Sequence, residues 1–240
     1  CSSVGPAELL RAMGFAVYFP ENHAAMLGAA RKAERAIPQA VAAGFSPTIC
    51  SYLTTDIGAF LSGESMLSRV APQCDALPTP DVLIYNTNQC RDIGDWFTWY
   101  AAHYQVPVLG VHSFRALGEL QREHVQAMSS QFRRLATQLA PIAGQSLDPA
   151  RLAEVVGHSR RTSDLWRQVL ETAQQQPSPL TFFDACTMMG PAVVLRGLPQ
   201  ANDFYQALLD ELDDRVFGGE AAVVGEKVRI FWEGMPIWGR

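Results

Sequence analysis

The chain has 240 residues, 48% of them hydrophobic and 18% charged, with a formal net charge of -5. That composition supplies core for one large or two small globular domains, and its scattered Lys and Arg lack the basic stripe that nucleic-acid binding needs. No window approaches the roughly 18 apolar residues of a membrane span, and the opening CSSVGPAELL lacks the basic-then-apolar order of a signal peptide, so a cytoplasmic protein is expected.

Taken in chain order, PAELLRAMG predicts a short helix stopped by Gly14, FAVYFP a strand stopped by Pro20, and residues 22–44 helix, with Asn22 as cap, Gly44 as stop and Pro38 as the point where it kinks or divides. After PTIC comes the helix TTDIGAFLSGE. The loop PQCDALPTP leads to the strongest strand signal, DVLIYN, then the helix RDIGDWFTWYAAHY and the strand VPVLGVHS. Strand alternating with helix predicts a parallel sheet covered on both faces, containing Phe15 to Phe19, Val82 to Asn86 and Val106 to Val111. Past Phe114 two long helical stretches are expected, Ala116 to Ala140 and Pro149 to Gln175. Apolar spacing at Leu152, Val155, Val156 and Ser159, and at Leu165, Val169 and Ala173, gives the second its buried face. A loop-like QQPSPLTFFDACTMMGP, a helix from Ala201 and a strand KVRIFWEGMPIW follow. The expected organisation is an α/β domain over 1–114, a helical connection over 115–220 and the start of a second α/β domain over 221–240. The chain opens on Cys1 without a Met and stops soon after that strand, so it reads as a fragment.

Five cysteines, Cys1, Cys50, Cys74, Cys90 and Cys186, form an odd and widely spaced set, which is not the pattern of a disulfide framework. Two of them fall at similar junctions. Cys50 in SPTICSYLTTDIGAF and Cys90 in VLIYNTNQCRDIGDWF each stand directly before a predicted helix, where the partial positive charge of the helix N-terminus favours an anionic thiolate. In open parallel sheets such strand-to-helix junctions are where ligands sit. The spacing of forty residues (90 minus 50) is far from a compact zinc or ferredoxin motif, and burial as small hydrophobes stands as the alternative. His23 in PENHAAM and His112 in GVHSF lie near strand ends and are candidate site residues, with capping or packing as the alternative. Phosphate-binding glycine loops, a G-x-S-x-G elbow and an H-E-x-x-H pair are absent. Trp96, Phe97, Trp99 and Tyr100 read as the buried and boundary face of a helix rather than a stacking platform.

The segments PAELLRAMGFAVYFPENHAAMLGAARKA, GFSPTICSYLTTDIGAFLSG, LPTPDVLIYNTNQCRDIGDWFTWYAAHYQVPVLGV and KVRIFWEGMPIW together resemble the superfamily of 2-hydroxyacyl-CoA dehydratase and ATP-dependent benzoyl-CoA reductase subunits. The resemblance covers essentially the whole chain, and YFPENHAAM leans towards the reductase branch. It implies two flavodoxin-like α/β domains with a helical part, and an oxygen-sensitive [4Fe–4S] cluster between the domains. It also implies a homologous partner subunit in a heterodimer, and a separate iron–sulfur ATPase activator that supplies a low-potential electron. An acyl-CoA or aryl-CoA thioester is then reduced to a radical anion, in the manner of anaerobic radical enzymes.

Carried over by position, the resemblance makes Cys50 and Cys90 cluster ligands, with a further protein ligand expected from the second domain. Cys1, in the opening CSSVGPAELL, is the reserve ligand for metal and cofactor, whereas Cys74 and Cys186 are read as structural. The competing expectation is a non-catalytic homologue that keeps the fold and serves in assembly or docking. A metal-free ligand-binding domain of flavodoxin-like fold is a more remote one.

Overall fold

A computed structural model describes residues 1–69, 72, 74, 76–114 and 118–234. The described chain divides into two compact units, one from Cys1 to Asp148 and one beginning at Pro149. The first is mixed α/β. In chain order it contains helices α1 (Ala7–Ala12), α2 (Pro20–Ala29), α3 (Ala33–Ala42) and α4 (Ser51–Leu61), strand β1 (Leu83–Asn86), helix α5 (Arg91–Tyr104), strand β2 (Val108–Val111) and helix α6 (Arg122–Ala143).

The two strands run parallel, with Leu83 opposite Val108 and Asn86 opposite Val111, and α5 makes the crossover that parallel pairing requires. Successive side chains of a strand point to opposite faces, and β1 uses both. Leu83 enters a core with Leu53, Ile57, Ile93, Trp96 and Phe97, on the side of α4 and α5. Its neighbour Ile84 enters a different core with Leu9, Leu10, Met13, Leu135 and Leu139, on the side of α1 and α6. The sheet is therefore covered on both faces, as the apolar runs of its strands require.

Phe15 to Phe19 does not become a third strand among the described residues. The free edge of β1 is taken by the N-terminal segment instead, where Ser2 N–H donates to the Ile84 carbonyl at 2.9 Å and Asn86 N–H to Ser2 Oγ at 3.3 Å. Residues 15–19 lie beyond it, joined by the Cys1 nitrogen to the Tyr18 carbonyl at 2.8 Å. Residues 22–44 also divide differently from the expectation. Pro20 opens α2 in place of a cap at Asn22, and the break falls at Arg31, in the left-handed region at φ 58°, leaving Pro38 inside α3. Gly14 does end α1 as predicted: at φ 83° it lets Phe15 N–H return to the Leu10 carbonyl at 3.0 Å.

Two features hold the helices of this unit. At the crossing of α3 and α4, a Cβ on Gly58 would stand 1.9 Å from the Ala36 carbonyl oxygen, so the helices touch backbone to backbone. Between α2, α4 and α5 lies a wholly buried polar knot. Asp56 Oδ1 meets His23 Nδ1 at 2.8 Å, and Asp56 Oδ2 accepts from Trp96 Nε1 at 3.2 Å and Tyr100 OH at 2.6 Å. His23 Nε2 accepts the Met66 N–H at 3.2 Å, which puts the imidazole proton on Nδ1, facing the carboxylate. Around the knot Phe60 packs edge-on against Trp99, Tyr100, His103 and Tyr104, so the aromatic run of α5 is core and core boundary.

The second unit is helical over its described residues. It comprises α7 (Pro149–Glu171), α8 (Phe182–Met188), α9 (Gly190–Val194) and α10 (Pro199–Gly218), with α8 and α9 forming where a loop was expected. Leu165, Val169, Leu180, Ala192, Tyr205 and Leu212 form its core, and Tyr205 OH donates to the Met188 carbonyl at 2.7 Å. The buried stripe of α7 passes through Val155, Ser159, Thr162, Leu165 and Val169, leaving Val156 exposed. The strand expected from Lys227 is not formed over Lys227–Gly234, and its last residues lie outside the described ones. Val228, Ile230 and Phe231 are exposed there, and without a neighbouring ladder an extended segment makes no sheet.

Two expected outcomes follow from the helix contacts. Gly58→Ala should cost about 3 kcal/mol, the upper range of overpacking, because carbonyl backbone rather than a flexible side chain must give way; urea unfolding measures it. Burial, and then the nearby Asp56, hold the Tyr100 and Tyr18 hydroxyls above their usual range near 10. The folded chain therefore keeps protons that the unfolded chain releases, so stability should fall as pH rises above about 10, by about 1.4 kcal/mol per pH unit for each such tyrosine. Unfolding of wild type and Tyr100→Phe between pH 9 and 11 should show the shallower slope in the variant.

Candidate functional site

The C-terminal end of the sheet gathers the segments that carry the candidate residues. β1 ends at Asn86, and a short turn over Thr87–Gln89 delivers Cys90 to the N-cap of α5. Cys50 is the N-cap of α4, preceded by a turn rather than a strand. Neither thiol caps its own helix, and both cysteines are free, Cys50 half-buried and Cys90 exposed. The two junctions are joined by a single carboxylate: Asp92, in the first turn of α5, accepts the Cys50 N–H at 3.1 Å. An acid at that position also suits the positive end of the α5 dipole.

A second carboxylate ties in the N-terminal segment. Glu21, in the first turn of α2, accepts the Ser3 N–H at 2.6 Å through Oε2, and the Gln89 side-chain amide donates to its Oε1. The N-terminal segment, through the Ser3 peptide, and the turn before Cys90, through the Gln89 side chain, thus share one partner. Cys1 itself faces inward, its thiol 3.3 Å from the Ser2 carbonyl and packed against the core beneath β1. The residue types fit an iron–sulfur group in part: two free thiols at adjoining helix N-termini suit thiolate ligation, although Cys50 also packs against the core of α4 and α5. Among the described residues no three His, Cys, Asp or Glu side chains converge as a metal-holding group.

The other candidates separate cleanly. His23 is 1% exposed with both ring nitrogens bonded inside the core, so it joins helices rather than meeting a ligand. His112 is exposed and stands one residue beyond β2 at the same sheet end as Cys90, with Nδ1 2.9 Å from Thr87 Oγ1. Cys74 is half-buried. Partial burial pushes the Cys186 thiol up, away from the thiolate that metals bind. Asp92, Glu21 and Gln89 are not singled out by the sequence; the available signal is an acidic residue in the first turn of α2 and of α5.

The chain spans a little over half the length of the relatives it matches. It is 30% identical to the lactoyl-CoA dehydratase alpha subunit of Anaerotignum propionicum, covering 99% of this chain and 58% of that one. It is 29% identical to the (R)-2-hydroxyisocaproyl-CoA dehydratase alpha subunit of Clostridioides difficile, covering 99% and 57%. With a benzoyl-CoA reductase subunit of Thauera aromatica it shares 26% identity over 96% of this chain and 55% of that protein. The sequence profile described as 2-hydroxyglutaryl-CoA dehydratase, D-component, matches residues 2–240, so the chain belongs to that family.

Proposed function

We propose that this chain is the cluster-bearing part of a subunit of an anaerobic CoA-thioester enzyme, of the 2-hydroxyacyl-CoA dehydratase or benzoyl-CoA reductase type, working in the cytoplasm with a homologous partner subunit. Family membership supports this reading, as do the relatives' names, two of them 2-hydroxyacyl-CoA dehydratase alpha subunits and one a benzoyl-CoA reductase subunit. The observation that carries it to particular residues is the Asp92 bridge, which holds the Cys50 and Cys90 junctions side by side at one sheet end.

In this reading Cys50 and Cys90 hold a [4Fe–4S] cluster, Cys1 is the reserve thiol, and a further ligand comes from outside the described residues. When bound, the cluster supplies a one-electron, low-potential donor for the CoA thioester, recharged by an ATP-dependent iron–sulfur activator. The chain's own residues set the place where that happens. Asp92 fixes the Cys50 peptide, Glu21 holds the side chain of Gln89, the residue before Cys90, and the helix N-termini present positive partial charge towards thiolates. No helix of the described residues is long and apolar enough to cross a membrane.

In an anaerobically prepared full-length complex, Cys50→Ser and Cys90→Ser should each lower iron and sulfide content and abolish ATP-dependent activity, while Cys74→Ser leaves both near wild type. A missing thiolate exposes iron, whereas a loop thiol contributes only packing. Iron and sulfide absent from the wild-type complex would favour the non-catalytic homologue instead. Asp92→Asn, which keeps the shape and an acceptor but removes the charge, should lower cluster content on the order of 10-fold or less, since it acts through the Cys50 peptide.

A further inference from the structure

His112 is held with more care than an exposed histidine needs. Its peptide is gripped on both sides by one side chain of α6: the His112 N–H donates to Gln131 Oε1 at 2.8 Å, and Gln131 Nε2 donates to the His112 carbonyl at 2.9 Å. A neighbouring strand would ordinarily make that pair of bonds. Its ring is fixed by Thr87, the first residue after β1, at 2.9 Å and stands edge-on to Phe114, with centroids 5.7 Å apart. Thr87 is itself placed by its N–H to the Val111 carbonyl at 3.0 Å. Asn86 then locks the two loops together, its Oδ1 accepting from Ser113 Oγ at 2.7 Å and from Asn88 N–H at 3.2 Å.

Surface bonds of this kind contribute only about 0.5–1.5 kcal/mol each, so stability alone is a weak reason for the arrangement. Its effect is directional. Thr87 Oγ1 already accepts the Ser113 N–H at 3.3 Å, so its own hydrogen is available for His112 Nδ1. When Thr87 donates to Nδ1, the imidazole proton lies on Nε2, and Nε2 has no hydrogen-bond partner among the described residues. The turn that Thr87 opens leads in three residues to Cys90. A pre-aimed N–H donor and a free thiol therefore share one sheet end.

We propose, resting on the CoA-thioester reading above, that His112 donates its Nε2–H to the thioester carbonyl oxygen of the substrate. There it stabilises the negative charge that collects on that oxygen when the activator-derived electron enters the carbonyl. The proton stays on Nε2, and no bond at His112 forms or breaks beyond the hydrogen bond. Thr87 and Gln131 are positioning residues, one fixing the tautomer and the other the peptide. A donor aimed where charge develops needs no reorganisation during the reaction, and losing one such donor costs on the order of 100- to 1,000-fold in kcat.

The test uses the full-length complex with activator, ATP and reductant, assayed on a 2-hydroxyacyl-CoA and on benzoyl-CoA. His112→Phe should lose roughly 100- to 1,000-fold in kcat with KM little changed and iron content intact. His112→Gln, which keeps an N–H donor near the Nε2 position, should recover part of that loss, and Thr87→Val should show a smaller one. Independently of turnover, the unreduced complex labelled with 15N-histidine should show the His112 Nε2 resonance, assigned from the variants, shifting on saturation with the same CoA thioester. An active wild type with His112→Phe within twofold of it, or an Nε2 resonance unmoved by a thioester that binds, overturns the role of His112 alone. A wild-type complex inert towards both thioesters overturns the enzyme reading as well.

Discussion

The first unit depends on one buried carboxylate. Asp56 sits in the middle of α4 with no exposure, and a bare carboxylate there would cost far more than a packed apolar side chain. It is tolerated because three donors from two other helices reach it: His23 of α2, and Trp96 and Tyr100 of α5. The arrangement is mutual. Those donors are also buried, and without the carboxylate each would be left unpaired. Apolar packing alone admits small slips of one helix over another, whereas this set of bonds admits one relative placement of α2, α4 and α5. The backbone contact at Gly58 adds α3 to the same rigid group.

That rigidity matters because the site belongs to the same helices. Cys50 and Cys90 are the first residues outside α4 and α5, so the Asp56 knot, set deeper in those two helices, governs how the two N-termini approach each other. Asp92 completes the pairing at the surface. Glu21 does for α2 and the N-terminal segment what Asp92 does for α4, and Asn86 and Thr87 join the loops after the two strands. Apolar cores position the elements, and a shallow layer of polar bonds fixes the loops over them.

The comparison of His23 and His112 shows why residue type alone decides little. Both stand near predicted strand ends, and both are candidates on equal terms by sequence. One became part of the core, with both nitrogens occupied. The other became an exposed ring with one nitrogen held and one presented. What separated them was the burial of Asp56 and the reach of Gln131 from α6, and these partners lie 33 and 19 residues away in sequence.

Local sequence determined the elements that depend on near neighbours: the DVLIYN and VPVLGV strands, the crossover helix, the stop at Gly14 and the two cysteines at helix starts. In each, the periodicity of apolar residues or the φ preference of one residue carries the signal within a few positions. Tertiary structure alone decided the rest. Phe15 to Phe19 has strand composition yet no ladder, because the segment at Ser2 occupies the edge of β1. Pro38 stays inside a helix while Arg31 breaks one, and Val156 turns outward although its spacing fits the buried stripe. The bridge from Asp92 to Cys50 spans 42 residues, and no period in the sequence announces it. Such contacts arise where elements made by local preference are packed together, and which polar atoms then meet depends on the geometry of that packing rather than on any single segment.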